Sequence, residues 1–336
     1  MVQSRSMQHD IIAIGDTVID AFIRLQEASV LRDATNTHDL LAMRFGEKLP
    51  FEYDVVIPGV GNSANAAVAC ARLGLNAGLH TYVGADTRGD DCIKALADQR
   101  VATDLIVKQE GKNTNYHYVL WYGSERTILI KHEAYDYSMP TDIEAPKWIY
   151  LSSMADNSLP YHKEIASYLE ANPTVKLAFQ PGTFQIKLGT EALKDLYSRT
   201  EVFFCNKEEA QEILKSESTD FKELLKGMQA LGVKIPVITD GRNGAYTTDT
   251  DGSSWHIPMY PDPKPPLERT GAGDASASTT IAYLEMGFPI HEAIMRGAIN
   301  SMSVVQEIGA QRGLLAKEQI DEWYNKRPAD FVATAI

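Results

Sequence analysis

Apolar residues in this chain fall into short unbroken runs separated by longer stretches with helical spacing. Ile11-Ile12-Ala13-Ile14 is such a run, closed by Gly15-Asp16, and predicts a buried strand leading into a loop. Small residues at helix-compatible spacing over 63–73 (SANAAVACARL) predict a helix that stops at Gly74. A strand over 77–83 and a helix over 89–99 follow. From about residue 147 the alternation becomes regular. Strands are predicted at 148–152, 175–179, 202–205 and 235–239, and helices at 160–171, 190–198, 207–215 and 220–231. A hairpin over 244–257, a Pro-rich connector over 258–266 and helices from 272, over 290–307 and over 316–326 complete the pattern. Short strands alternating with helices predict an α/β protein: a mostly parallel sheet with helices on both faces.

Two segments break the rhythm. Residues 22–57 show no clear period. Residues 115–122 and 126–131 are rich in aromatic and β-branched residues around a Gly123-Ser124 pair, which predicts a hairpin. Tyr116, Tyr118 and Leu120 alternate with Val119 and Trp121, so both faces of that hairpin need a cover, from the core or a second subunit. The chain reads as one domain over 1–336, with 22–57 and 112–138 appended as a small β lid.

Composition sets limits. The 336 residues are 44% hydrophobic and 23% charged, enough for a sizeable core. A net charge of −13 argues against nucleic acid as a partner, and it requires any anionic ligand to be held by local donors. Three scattered cysteines without a CxxC pair read as buried thiols. The N-terminus lacks an apolar leader and no long apolar run occurs, so a cytoplasmic protein without a membrane partner is expected.

The chemistry concentrates at Gly271-Ala272-Gly273-Asp274, which opens the predicted helix from 272. Small residues at a helix N-terminus let backbone amides approach an anion where the helix dipole is positive. A carboxylate beside them can take a proton from a hydroxyl aimed at a phosphoryl group. A plain flexible turn with a dipole-favoured carboxylate is the bland alternative, and context decides between the two. PGVGNSANAA at 58–67 mimics a dinucleotide fingerprint, but Leu79-His80 stands where the ribose-binding acid belongs. There is no Walker lysine, and HEAIM at 291–295 lacks the second histidine of a zinc motif.

Taken together, the chain resembles the ribokinase-like, or PfkB, family of carbohydrate and nucleoside kinases from Ile11 to about Trp323. RTGAGD and VGNSANAAVACARLG are close to that family's two signatures. VGADTRGDD at 83–91, ERTIL at 125–129, NKEEAQEIL at 206–214, TDGRNGAY at 239–246 and GAQRGL at 309–314 occur in the family's order. The resemblance implies a three-layer α/β/α ribokinase-like fold with a small β lid. It implies Asp274 as the base and Gly271, Ala272 and Gly273 as an anion hole. It places Asp20, Gly61, Asn62 and Asn65 on the acceptor, with Asp16 as the rival of Asp20. Asn206, Glu209, Thr239, Gly241, Gly244, Thr270 and Asn300 would serve the nucleotide, and Glu209 would reach Mg²⁺ through water.

Three departures bear on these roles. Glu268-Arg269 stands where the family has Asp-Thr, Val60 replaces a glycine, and Gln180-Pro181 replaces an acid-containing segment. The β-branched Val60 is expected to narrow the sugar site.

The implied activity is ATP- and Mg²⁺-dependent transfer of the γ-phosphoryl group to a primary hydroxyl of a sugar such as ribose or fructose. A nucleoside kinase is the alternative, and a catalytically silent sensor the third reading. A monovalent cation is an optional activator, and a homodimer through the lid the expected assembly.

Overall fold

The computed structural model describes residues 8–35, 39–123, 125–141 and 143–336. Ser124 of the expected Gly123-Ser124 turn and the first seven residues lie outside the described residues. The first half contributes β1 (Ile11–Ile14), β2 (Val18–Leu25), β3 (Ser29–Arg32), β4 (Asp39–Ala42), β5 (Phe51–Val60), α1 (Asn62–Arg72), β6 (Ala77–Gly84), α2 (Thr87–Asp98), β7 (Ile106–Gln109), β8 (Tyr116–Tyr122) and β9 (Glu125–Leu129). The alternating region adds β10 (Trp148–Leu151), α3 (Leu159–Ala171), β11 (Lys176–Phe179), α4 (Thr183–Leu188), α5 (Lys194–Arg199), β12 (Thr200–Asn206), α6 (Lys207–Leu214), α7 (Phe221–Ala230) and β13 (Ile235–Thr239). The last part holds β14 (Ala245–Thr248), β15 (Ser254–Ile257), α8 (Ala272–Glu285), α9 (Ile290–Val304), α10 (Lys317–Asn325) and β16 (Thr334–Ala335).

A 10-stranded sheet runs in the order β16-β15-β14-β13-β12-β11-β10-β1-β6-β7. It is parallel from β13 to β7 and antiparallel from β13 to β16. Its inner strands are buried on both faces, so their side chains divide by parity. Ile11, Ala13, Trp148, Tyr150, Val202 and Phe204 pack with α1, α8 and α9. Ile12, Ile14, Ile149, Leu151, Phe179 and Phe203 pack with α3, α5 and α7 on the other side. This is the three-layer α/β/α arrangement expected from the sequence.

A second, 4-stranded sheet has the order β5-β2-β8-β9 and stands over one end of the first. The aperiodic 22–57 segment becomes part of it, with β3 and β4 as a separate exposed pair. Val119 and Trp121 are buried as expected, but Tyr118 and Leu129 are exposed on the opposite face. The cover expected on both sides is therefore present on one.

Smaller differences have local causes. The helix expected at 190–198 begins only at Lys194, because Gly189 at φ +83° ends α4 and turn residues follow. The two-turn α4 was not expected. It is started by Gln185, whose Oε1 accepts from the Gly182 amide at 2.7 Å. Cys70, Cys92 and Cys205 are buried free thiols, and burial pushes Cys70 and Cys92 up to about 12. Among the described residues no helix is long and apolar enough to cross a membrane.

Candidate active site

The parallel strands deliver polar residues to one rim of the sheet at their C-terminal ends, where open α/β sheets bind ligands. Asp16 follows β1, Gln180 follows β11, Asn206 closes β12 and Thr239 closes β13. Helix α8 starts on the same rim. Its N-cap is Gly271 at φ +79°, and a Cβ there would lie 2.3 Å from the Ala310 Cβ, so only glycine fits. Gly273 is different. A Cβ on it would meet only Gln180 Nε2, at 3.8 Å, so packing does not require a glycine there; an approaching ligand would. Ala275 N donates to Gly271 O at 2.8 Å, while the amides of Gly273 and Asp274 have no backbone partner among the described residues. Free amides at a helix start are the donor set an anion needs.

Asp274 is buried at 8% exposure and enters no salt bridge among the described residues. Three side-chain amides hold it instead. Asn62 Nδ2 donates to Oδ1 at 2.8 Å, Gln180 Nε2 to Oδ1 at 3.1 Å and Asn65 Nδ2 to Oδ2 at 2.8 Å. Burial raises the pKa of Asp274, the three amides lower it and the charge on Asp20 raises it, leaving it above the usual aspartate value. A buried carboxylate of raised basicity beside open amides suits proton abstraction.

On one side of this centre lies a cavity of about 190 Å³. Thr239, Gly241 and Gly244 form one wall, Ala298, Ser301 and Met302 of α9 another, and Ala272 and Gly273 close its inner end. Gly244 is also a packing glycine: a Cβ would lie 2.1 Å from Ile257 O. Arg242 and Arg269 stand at this cavity, so the departure at 269 adds a cation to its lining. The departure at 268 acts differently. The buried Glu268 accepts from Thr270 N at 2.7 Å and from Gly309 N at 2.9 Å, bracing the cradle loop against the GAQRGL loop. The hydroxyl of Thr270 is buried without a partner among the described residues, and Thr270 does not line the cavity.

Asn300 departs from expectation. It is fully buried, donates to Thr279 Oγ1 at 2.8 Å and accepts from Leu315 N at 2.9 Å. Its amide ties α9 to α8, and its neighbours Ser301 and Met302 face the cavity in its place. Asn206 and Glu209 form a reciprocal helix cap on α6, through Glu209 N to Asn206 Oδ1 at 2.8 Å and Asn206 N to Glu209 Oε2 at 2.9 Å. That leaves Glu209 Oε1 free of the cap. Among the described residues no group of three or more His, Cys, Asp and Glu side chains is placed to hold a metal.

On the other side of Asp274 lies the lid. Asp20 sits in β2 rather than in a loop, opposite His117 of β8, whose Nδ1 is 3.3 Å from its Oδ1. Asp16 is more enclosed: His132 Nδ1 lies 2.8 Å from Oδ2, and Tyr137 donates its hydroxyl to Oδ1 at 2.8 Å. The rings of His117 and His132 are 5.3 Å apart, and Phe184 meets His132 edge-on at 5.9 Å. Gly61 lets β5 pass the Asp16 carbonyl, since a Cβ would lie 2.7 Å from it. Val60 is buried against β2, and its carbonyl accepts from the Thr17 hydroxyl at 3.1 Å. The PGVGNSANAA segment does join a strand to a helix, but β5 pairs antiparallel with β2 in the lid. It therefore lacks the parallel βαβ setting of a dinucleotide site.

Sequence reasoning named His117 and His132 only as lid residues able to meet a charged or aromatic acceptor, missed Tyr137 and saw Gln180 only as a departure. Their pairing with aspartates far along the chain left no local signal.

Comparison with known proteins identifies the family and the fold. Residues 10–317 match the pfkB family carbohydrate kinase description. A bifunctional ribokinase/ribose-5-phosphate isomerase A of Fructilactobacillus sanfranciscensis is 22% identical over 321 residues, covering 92% of this chain but 55% of that longer protein. A cytidine kinase of Thermococcus kodakarensis is 27% identical over 267 residues, 76% of this chain and 90% of the relative. Arabidopsis thaliana ribokinase, solved with ribose and ATP, superposes with a TM-score of 0.77 at 16% identity over 94% of this chain and 98% of its own. The chain belongs to the pfkB family of carbohydrate kinases and is a phosphotransferase with an alcohol group as acceptor.

Proposed function

We propose that this kinase transfers the γ-phosphoryl group of ATP to a primary hydroxyl of an uncharged sugar held between the rim and the lid. One observation carries the reading: Asp274 sits in the same helix turn as the open amides that start α8, buried and near enough to the lid carboxylate Asp20 for its charge to be felt. Asp20 accepts hydrogen bonds from acceptor hydroxyls, and Asp274 removes the proton of the hydroxyl that attacks in line. The amides of Gly273 and Asp274 meet the charge that develops on the transferring group. Magnesium bound with the nucleotide would neutralise phosphate charge, and the free Oε1 of Glu209 is the oxygen this chain offers it, through water. Closure of the lid over the acceptor would exclude water and limit ATP hydrolysis.

Asp16, Asp20 and Asp274 surround the acceptor end, and imidazoles are the basic partners of the first two among the described residues. This favours neutral sugars over sugar phosphates. The rings of His117, His132 and Phe184 support the second reading, a nucleoside acceptor stacked by its base. ADP release from Mg-ATP, measured across pentoses, hexoses, their phosphates and nucleosides, separates the two. Neutral sugars are expected to release ADP. Turnover confined to phosphorylated acceptors would overturn the charge argument, and no turnover with any acceptor would favour a sensor. Repeating the panel in potassium and in tetramethylammonium buffer reads out any monovalent-cation requirement.

The exposed apolar side chains Val56, Tyr118 and Leu129 on the lid's outer face support a homodimer formed there. Sedimentation equilibrium is expected to give twice the chain mass, and Tyr118→Asp to return it to the monomer mass. A wild-type monomer at micromolar concentration would remove this assembly from the reading.

A further inference from the structure

The carboxylate of Asp274 is held asymmetrically. A carboxylate has about four lone-pair sites, two on each oxygen. Oδ1 receives two amide donors, from Asn62 and Gln180, and Oδ2 receives one, from Asn65. Among the described residues nothing takes the remaining lone pair on Oδ2.

Two of the three donors are themselves locked. The Gln180 Oε1 accepts a hydrogen bond from the Tyr150 hydroxyl, which fixes the amide with its NH₂ toward Asp274. Tyr150 is fully buried on β10, and burial pushes its phenol well above the usual value, so it remains a donor at any working pH. Likewise Asn65 Oδ1 accepts from Gln311 Nε2 at 3.0 Å, and that same nitrogen donates to Gly59 O at 2.8 Å. Neither amide can rotate without breaking a second bond.

We propose that Gln180, oriented by Tyr150, and Asn65, oriented by Gln311, are positioning residues that keep Asp274 ionised and leave its Oδ2 as the atom that takes the acceptor's proton. The inference rests on Asp274 being the base. It gives the Gln180 departure a function, and it moves Asn65 from direct acceptor contact to support of the base. The amides oppose the effect of burial: without them a carboxylate this enclosed would hold its proton to higher pH.

The test reads the acid limb of the pH profile of kcat/KM. Removing a donor to an ionised carboxylate destabilises the charged form, so its pKa rises and the limb moves to higher pH. Gln180→Leu is expected to move it by about one unit, the size of one charge-assisted hydrogen bond. Rates would fall about tenfold below the limb and converge with wild type above it. Tyr150→Phe is expected to shift it in the same direction by less. Gln180→Glu is expected to shift it further than Leu, by placing a second carboxylate against the first. Asp20 on β2 and its neighbour His117 on β8 face the same centre, as does the Cys70 thiol of α1, which stays neutral. All three are unchanged in these variants, so a difference between profiles isolates the amide.

A limb that stays in place, or a loss uniform across pH, would overturn the proposal. Should the buried Tyr150→Phe fail to fold, the two Gln180 variants carry the test. Asp274→Asn separates the levels. If it is inactive while the limbs stay put, the positioning role alone is lost. If it keeps turnover, the base assignment itself fails.

Discussion

Asp274→Asn is expected to lower turnover about 10²–10⁴-fold while nucleotide affinity stays within about twofold of wild type, the loss typical of a missing general base. The carboxylate points toward the acceptor side, and the cavity beside it is lined by Ala272 and Gly273 rather than by Asp274. Asparagine preserves volume but removes the proton acceptor. One of its atoms becomes a donor facing the donors from Asn62, Asn65 and Gln180, so a local rotation is also expected. Single-turnover rates with Mg-ATP, together with calorimetric binding of a non-hydrolysable ATP analogue, measure the two halves separately. Near-normal turnover would falsify the mechanism.

Gly271→Ala is expected to cost about 2–5 kcal/mol of folding stability and to abolish turnover in whatever folds. The left-handed backbone at φ +79° penalises any side chain by about 1–2 kcal/mol. The overlap with Ala310 adds about 1–3 kcal/mol, because both Cβ and Cα of Ala310 lie within 2.6 Å of the added carbon. Relief requires the cradle loop to move, which displaces the amides of Gly273 and Asp274. Gly241→Ala is the control: nothing lies within 4 Å of its Cβ, so the change costs only the left-handed penalty. Urea unfolding of both variants decides the matter, and equal midpoints would mean that the Ala310 contact yields without cost.

The sequence made the parallel core legible because most of its inner strands are short apolar runs buried on both faces. Trp148–Leu151 and Ile235–Thr239 are examples. Helix α8 was legible for a related reason, since Gly271 and Asp274 mark its start with chemistry as well as spacing. The lid was harder to read. Strand β5 is exposed over half of its length, so no alternation identifies it, and in the main sheet the edge strand β7 is too short to show a period. The site was read best where one segment carries several roles, as in 271–274. It was read worst where a role arises between segments. Gln180 and Asp274 are 94 residues apart, and Asp16 and His132 are 116 apart, so their pairing follows from the sheet order and not from any local pattern. Asn300 illustrates the converse. The family resemblance placed it on the nucleotide, whereas its partners are Thr279 and Leu315.

Helices α8 and α9 come into close backbone contact at Gly297, where a Cβ would lie 2.6 Å from Ser276 O and 2.8 Å from the Thr280 hydroxyl. Because these two helices also wall the cavity, the donor half of the enzyme is a fixed mould that cannot widen by sliding. A change of donor preference must come from swaps at single lining positions such as 298, 301 or 302. The acceptor half is assembled from β2, β8, α4 and residues 130–138, which meet at the site through single exchangeable side chains such as His117, His132 and Phe184. Descendants of this chain should therefore diversify in what they phosphorylate long before they change what they phosphorylate with.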